Sequence, residues 1–406
     1  MEDIEKIVLD KIEEMREEII KFHQEIVQIP SENPPGKYKE VVKFTEKAFM
    51  DLGLKTEVKR NNVVGEFGNN NGPTLILNGH LDTVEAFKGW TQKPFGGDIV
   101  DGKIYGRGAS DDKSSVTAEI FATKALLETS VNLNGKLILT AVVDEETGGL
   151  RGADYILESG LIKGDVCLLG DAPNNYPFGY CGGNIFLTFI IKGKKAHGLV
   201  HPDLPKPYRS EESGINSIEK MVKIMNFLVK LKEEFLEKET KYPLPEGSNV
   251  TVSSLNLAEI HGGDSMTTVP ERSFLHVTIT TIPEQDISSI KNRILEYVEE
   301  IKKQDPDLDI TVQNPITFEP QIIDVNSDFA RAVLKATKAI FNEEREFKLC
   351  SAPTDAHWFQ ERGIPTILIG SSREDNNIHA VDEFVHIEDL INTTKLFAIS
   401  ILNYLK

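Results

Sequence analysis

Four short apolar runs constrain this chain more than any other feature: TLILNG (74–79), KLILTAVVD (136–144), DVCLLG (165–170) and IPTILIG (364–370). Runs of this length with so few polar side chains suit strands buried on both faces. An amphipathic helix is expected near 114–129, between the first two runs. Strands alternating with helices in this way argue for an α/β layer on a mainly parallel sheet. Upstream, residues 2–28 carry Ile4, Ile7, Val8, Ile12, Met15, Ile19, Ile20, Ile26 and Val27 at helical spacing, and the pattern stops before Pro30 and SENPPG (31–36). A second helix is expected over 38–52, with Gly53 as its C-terminal cap.

The middle of the chain has a different rhythm. NIFLTFIIKGK (184–194) reads as a strand, and SGINSIEKMVKIMNFLVKLKEEFL (213–236) as a long helix with Ile215, Ile218, Met221, Val222, Met225 and Leu228 on one face. NVTVSSLNLAEIHGG (249–263) and SFLHVTITTIP (273–283) alternate with period two, a helix follows over 285–303, and LDITVQ (308–313) is a last strand. The order β-α-β-β-α-β is that of a ferredoxin-like sandwich. It interrupts the α/β pattern, so an inserted domain is expected at 184–314, with 1–183 and 315–406 forming the other domain. A length of 406 residues agrees with two domains, one or three being the alternatives.

The net charge of −19 disfavours nucleic acid and anionic membranes as partners. Three cysteines, Cys167, Cys181 and Cys350, are odd in number and lack CxxC spacing, so a reducing compartment is expected. The charged N-terminus lacks the apolar core of a signal peptide, and no stretch approaches the roughly 18 apolar residues of a membrane span. Together these point to a cytoplasmic protein.

Polar chemistry gathers at the ends of the expected strands and in the loops after them. GHLDT follows the first run and holds His80 and Asp82; the plain alternative is a polar loop. Their spacing makes it hard for both to reach one metal, but suits Asp82 as an orienting partner of His80. GRGASDDK (106–113) opens a helix, and one of Asp111 and Asp112 could bridge two metals; taken alone, a pair complementing the helix dipole is the better reading. DEETGG (144–149) sets Glu145 beside Glu146 after the strongest strand. Adjacent buried carboxylates repel unless a cation or proton compensates, so one on a metal and one free to accept a proton is coherent; a solvated turn is the even alternative. Asp171 ends another run, His379 lies in a late polar loop, and His197 in GKKAHG (193–198) ends the first inserted strand. Each of these alone is weak. Jointly, histidines and carboxylates without cysteine are the ligand set of paired zinc-like ions, which activate water for hydrolysis.

This order of segments resembles the co-catalytic zinc family of acetylornithine deacetylase, succinyl-diaminopimelate desuccinylase, aminoacylase and the glutamate-releasing carboxypeptidases. The resemblance runs over nearly the whole chain, through GHLDT, YGRGASDDK, DEETGG, GDA, KAHG, VPE (269–271), TDAHWF (354–359), GIP (363–365) and IHAVDEFV (378–385). It implies a catalytic zinc-peptidase-like domain with an inserted lid and dimerisation domain, hence a homodimer. It further implies two zinc ions, one held by His80 and Asp171, the other by Glu146 and His379, with Asp111 between them. Cobalt and manganese suit the same ligands. Asp82 would orient His80, Glu145 would be the general base, and His197 would steady the oxyanion from a neighbouring subunit.

Some positions depart from the family pattern. Deacylases usually carry Glu at the place of Asp171, and aminopeptidases and dipeptidases more often Asp. Thr267, Thr280 and His357 stand where the family often has Asn, Arg and Arg. In the family those polar groups anchor a substrate carboxylate; here Lys195, Arg209 or Arg373 could serve instead. The expected activity is cleavage of the amide of an N-acyl amino acid, with a dipeptidase or carboxypeptidase as runner-up. A non-catalytic binding protein on the same fold is the reading from another class.

Overall fold

The structure is a computed structural model and describes residues 3–350 and 352–406; Met1 and Glu2, where the first helix was expected to begin, and Ser351 lie outside these. The chain divides into two compact units. One comprises Met1–Tyr180, Ile322–Cys350 and Thr354–Lys406, the other Cys181–Gln321 and Ser351–Pro353.

Among the described residues, the first unit is built on a nine-stranded mixed sheet. Its centre is parallel, in the order Lys136–Val142, Thr74–His80, Val166–Leu169 and Thr366–Leu368. These are the four apolar runs. The flanks are antiparallel: the hairpin Lys55–Lys59 and Asn62–Gly68 joins one side, and Phe178–Cys181 the other. The hairpin escaped the sequence reading because its first strand, KTEVK, is charged and half exposed.

Two helix expectations need correction. Residues 3–27 form two helices, Asp3–Glu14 and Arg16–Val27, with a turn at Met15. The Lys113–Glu128 helix is not amphipathic in its setting, because nearly all of its residues are buried. It lies between the Thr74–His80 strand on one side and the N-terminal and Ile387–Leu405 helices on the other. Gly53 does follow the Lys39–Asp51 helix at φ +75°, with Leu54 N–H returning to the Phe49 carbonyl, so glycine ends that helix without strain.

The second unit is a four-stranded antiparallel sheet in the order Ser254–Gly262, Arg272–Thr280, Asn184–Lys192 and Asp309–Phe318. The helices Ser217–Phe235 and Ile287–Gln304 share its core. This is the ferredoxin-like arrangement. The buried face of Ser217–Phe235 is Ser217, Met221, Ile224, Leu228, Leu231 and Phe235. Ile218 and Val222, expected inside, are exposed and continue outward as a stripe with Val229 and Leu236. The Ser254–Gly262 strand is a largely exposed edge, so only part of its alternating pattern meets the core.

One buried group in the first unit sets a pH response. His23 is fully buried, its Nε2–H donates to the Ala109 carbonyl at 2.9 Å, and burial lowers its pKa from 6.5 to about 3. The unfolded chain therefore binds a proton on this residue below about pH 6.5 that the folded chain refuses. Its contribution is fully present above pH 6.5 and is lost as pH falls towards 3. Urea unfolding at pH 7, 6 and 5 is expected to show stability falling by up to about 1.4 kcal/mol per pH unit from this group. His23→Gln should flatten that slope; an unchanged slope would sink the assignment.

Candidate metal centre and hydrolytic site

The parallel strands place the candidate residues at one edge. His80 ends its strand, Glu145 and Glu146 follow Lys136–Val142 in a short 3-10 turn, and Asp171 follows Val166–Leu169. Carboxyl ends of parallel strands are where such folds present functional groups. Asp111 precedes the Lys113–Glu128 helix, and His379 lies in the loop after Thr366–Leu368.

Asp111 stands between the two imidazoles. Its Oδ1 is 3.0 Å from His80 Nε2 and its Oδ2 is 3.1 Å from His379 Nε2. His379 Nε2 is also 3.0 Å from Glu146 Oε2, and Glu145 Oε2 lies 3.9 Å from His80 Nε2. Donor atoms of His80, Asp111 and Glu146 all fall within 4.8 Å of one another. His80 Nδ1–H donates to the Asp82 backbone carbonyl at 3.0 Å, which leaves Nε2 as the atom facing the carboxylates.

The protonation pattern has the same origin. Burial opposes a charged His80, but hydrogen bonds to Asp111 and Asp82 outweigh it and raise its pKa. Hydrogen bonds to Asp111 and then Glu146 raise His379 to about 10. Burial first, then neighbouring carboxylates, pushes Glu145, Glu146 and Asp171 up. For Asp111 burial acts the same way, but the two imidazoles outweigh it and hold its pKa down. A crowd of carboxylates with only imidazoles to balance it is a site short of positive charge. The all-nitrogen-and-oxygen donor set fits divalent cations of the zinc, cobalt or manganese kind.

Several placements sharpen the sequence picture. Asp112 faces inward, its Oδ2 accepting His80 N–H at 3.1 Å and its other oxygen accepting from Ser115, so Asp111 rather than Asp112 meets the histidines. Asp82 lies 3.5 Å from His80 Nδ1 through Oδ1. Its carboxylate also accepts the N–H groups of Glu145 at 3.2 Å and Glu146 at 3.3 Å, holding the turn that carries both. Asn33 Nδ2 donates to Asp82 and to Thr147 Oγ1, each at 3.0 Å. His197 is exposed on the second unit, where its Nδ1 accepts Leu199 N–H at 3.3 Å.

None of the alternative carboxylate anchors stands ready as a loose cation. Lys195 pairs with Asp264, Arg209 with Asp203 and Asp307, and Arg373 with Asp389. Burial lowers His357 to about 3, so it is neutral.

Sequence reasoning passed over Asn33, Arg107 and Glu383. The first sat in a segment read only as a helix stop. Glu383 was an acidic residue before a short apolar strand in a quoted signature, which was a usable signal.

Imidazoles and carboxylates converging over the ends of a parallel sheet define an enzyme class, the metal-dependent hydrolases. Within that class the chain belongs to Peptidase family M20/M25/M40, which matches residues 76–403. It is 26% identical to N-formyl-4-amino-5-aminomethyl-2-methylpyrimidine deformylase of Halalkalibacterium halodurans, across 96% of this chain and 94% of that one. It is also 26% identical to acetylornithine deacetylase of Shigella sonnei, across 88% of each. The structure is similar to that of the di-peptidase Dug1p from Saccharomyces cerevisiae, with a TM-score of 0.76, 17% identity and 98% of each chain covered. Among the described residues no helix is long and apolar enough to cross a membrane.

Proposed function

We propose that the protein is a two-zinc amidohydrolase that cleaves the amide of an N-acyl amino acid, of the acetylornithine or succinyl-diaminopimelate kind. The observation that carries this reading is Asp111, with one carboxylate oxygen on each imidazole. His80 and Asp171 would hold one ion, Glu146 and His379 the other, and Asp111 both. Ions held there would supply an acidified water and polarise the scissile carbonyl. Glu145 takes the proton of the attacking water and passes it to the departing nitrogen. Asp82 keeps His80 and the Glu145–Glu146 turn in place. His197 of a second copy donates to the developing oxyanion.

A second reading rests on the cations. Neutral His357 and the paired Lys195, Arg209 and Arg373 favour an acylated amine without a carboxylate, as the similarity to a deformylase of a formylated aminomethylpyrimidine also suggests. The deciding experiment uses chelator-stripped protein with and without zinc or cobalt, offered N-acetyl and N-succinyl amino acids, formylated amines and dipeptides. Metal-dependent release of a free amino acid from the acyl substrates supports the first reading. Preference for a formylated amine supports the second, and preference for dipeptides makes the protein a peptidase. Two bound ions without turnover on any of them would sink the amidohydrolase reading for these substrate classes.

The exposed stripe Ile218, Val222, Val229 and Leu236, beside the edge strand Ser254–Gly262, supports a homodimer formed through this unit. Light scattering at the mass of one chain would end that part of the proposal. The three cysteines, odd in number and without CxxC spacing, support a cytoplasmic setting.

A further inference from the structure

Glu383 is completely buried, yet it takes part in none of the chemistry above. Its Oε1 accepts the N–H groups of Ser110 at 3.0 Å and of Asp111 at 3.1 Å. Its Oε2 accepts Gly108 N–H at 3.1 Å and Arg107 Nη1 at 2.6 Å. One carboxylate thus organises the loop that delivers Asp111. Its own backbone carbonyl accepts Gly106 N–H at 2.8 Å, where the strands Lys103–Tyr105 and Phe384–His386 pair.

Arg107 works in the opposite direction. Its Nη2 donates to the Ala380 carbonyl at 2.8 Å, and Ala380 directly follows His379. Asn376 adds a parallel tie, its Nδ2 donating to Ser110 Oγ at 2.9 Å. The pair therefore spans two loops that are distant in sequence, gripping one at the N–H of Asp111 and the other at the carbonyl beside His379. Between those grips, Asp111 Oδ2 and His379 Nε2 stand 3.1 Å apart.

We infer that Glu383, braced by Arg107, is a positioning residue that sets the spacing of Asp111 and His379 and so fixes the second metal position. The inference rests on the two-metal reading of the site. A carboxylate used only for stability would need no such arrangement. Arg107 alone could neutralise it, whereas the N–H groups of Gly108, Ser110 and Asp111, three from one short loop, can be gathered only by an acceptor at this point. Outer partners of metal ligands commonly carry about 10- to 100-fold in metal affinity.

The test is titration of chelator-stripped protein with zinc, and with cobalt followed by its visible absorption, for wild type and Glu383→Gln, each with a urea unfolding curve. Wild type should take up two ions. Glu383→Gln, folded, should bind the first nearly as wild type and the second about 10- to 100-fold more weakly, with an altered cobalt spectrum. Loss of stability with both affinities and the spectrum unchanged would overturn the inference. Should Glu383→Gln fail to fold, Glu383→Asp keeps the charge opposite Arg107 while withdrawing it from the three N–H groups, and it faces the same two outcomes. Wild-type protein that binds no metal would overturn the two-metal reading itself. Two ions on wild type with an unaffected variant would remove only the role of Glu383.

Discussion

Replacing Glu145 with glutamine is expected to lower kcat about 100- to 10,000-fold while the metal content stays at the wild-type level. The reasoning is local. Glu145 lies 3.9 Å from His80 Nε2, whereas Asp111 and Glu146 are the carboxylates within 3.1 Å of the imidazoles. Its backbone is fixed by Asp82, so an amide of the same shape should leave the turn intact. Burial and the charges of Asp355, Asp171 and Glu146 raise its pKa, which is what a proton acceptor working near neutrality requires. Metal analysis beside steady-state kinetics decides the matter. Full activity in Glu145→Gln would make the mechanism wrong, and loss of metal would make Glu145 a ligand rather than a base.

Arg107→Met is expected to cost about 3 kcal/mol of stability, the low end of the range for stripping one partner from a buried ion pair. Both side chains are almost wholly inaccessible, at 1% exposure for Arg107 and 0% for Glu383. Removing the guanidinium leaves the Glu383 carboxylate without its countercharge, yet three backbone N–H groups still solvate it, which is why the larger values are not expected. Denaturant unfolding measures the loss. A change below about 0.5 kcal/mol would place this pair with ordinary surface ion pairs in energetic terms.

The chain announces its sheet plainly, because strands covered on both faces must be apolar throughout, and the runs at 74–79 and 136–144 could be little else. Strands that are charged or exposed, such as KTEVK, leave no such trace. The long helix of the second unit shows the limit of periodicity. Its apolar residues outnumber those one face can hold, so Ile218 and Val222 could be assigned inward until Met221 and Ile224 were seen to occupy that side. At the candidate site, His80, Asp111, Glu146 and His379, which the structure brings together, stood out by type and place. Asn33 did not, and Glu383 offered only its place in a family-like segment, since the role of each depends on which backbone N–H and side-chain groups converge on it in space.

The strand Thr366–Leu368 sits inside the first unit's sheet, between Val166–Leu169 and Phe178–Cys181. On the ribosome, a chain grown to residue 350 therefore has a sheet with a gap at its centre, and it has not yet emitted His379. Domains usually fold as they emerge, N-terminal part first. This unit cannot finish until the second unit's sequence has been made and the chain has returned. The donor cluster is thus completed only after the second unit's sequence has been made, and a nascent chain that stops short of Thr366 holds neither the whole sheet nor the full set of ligands.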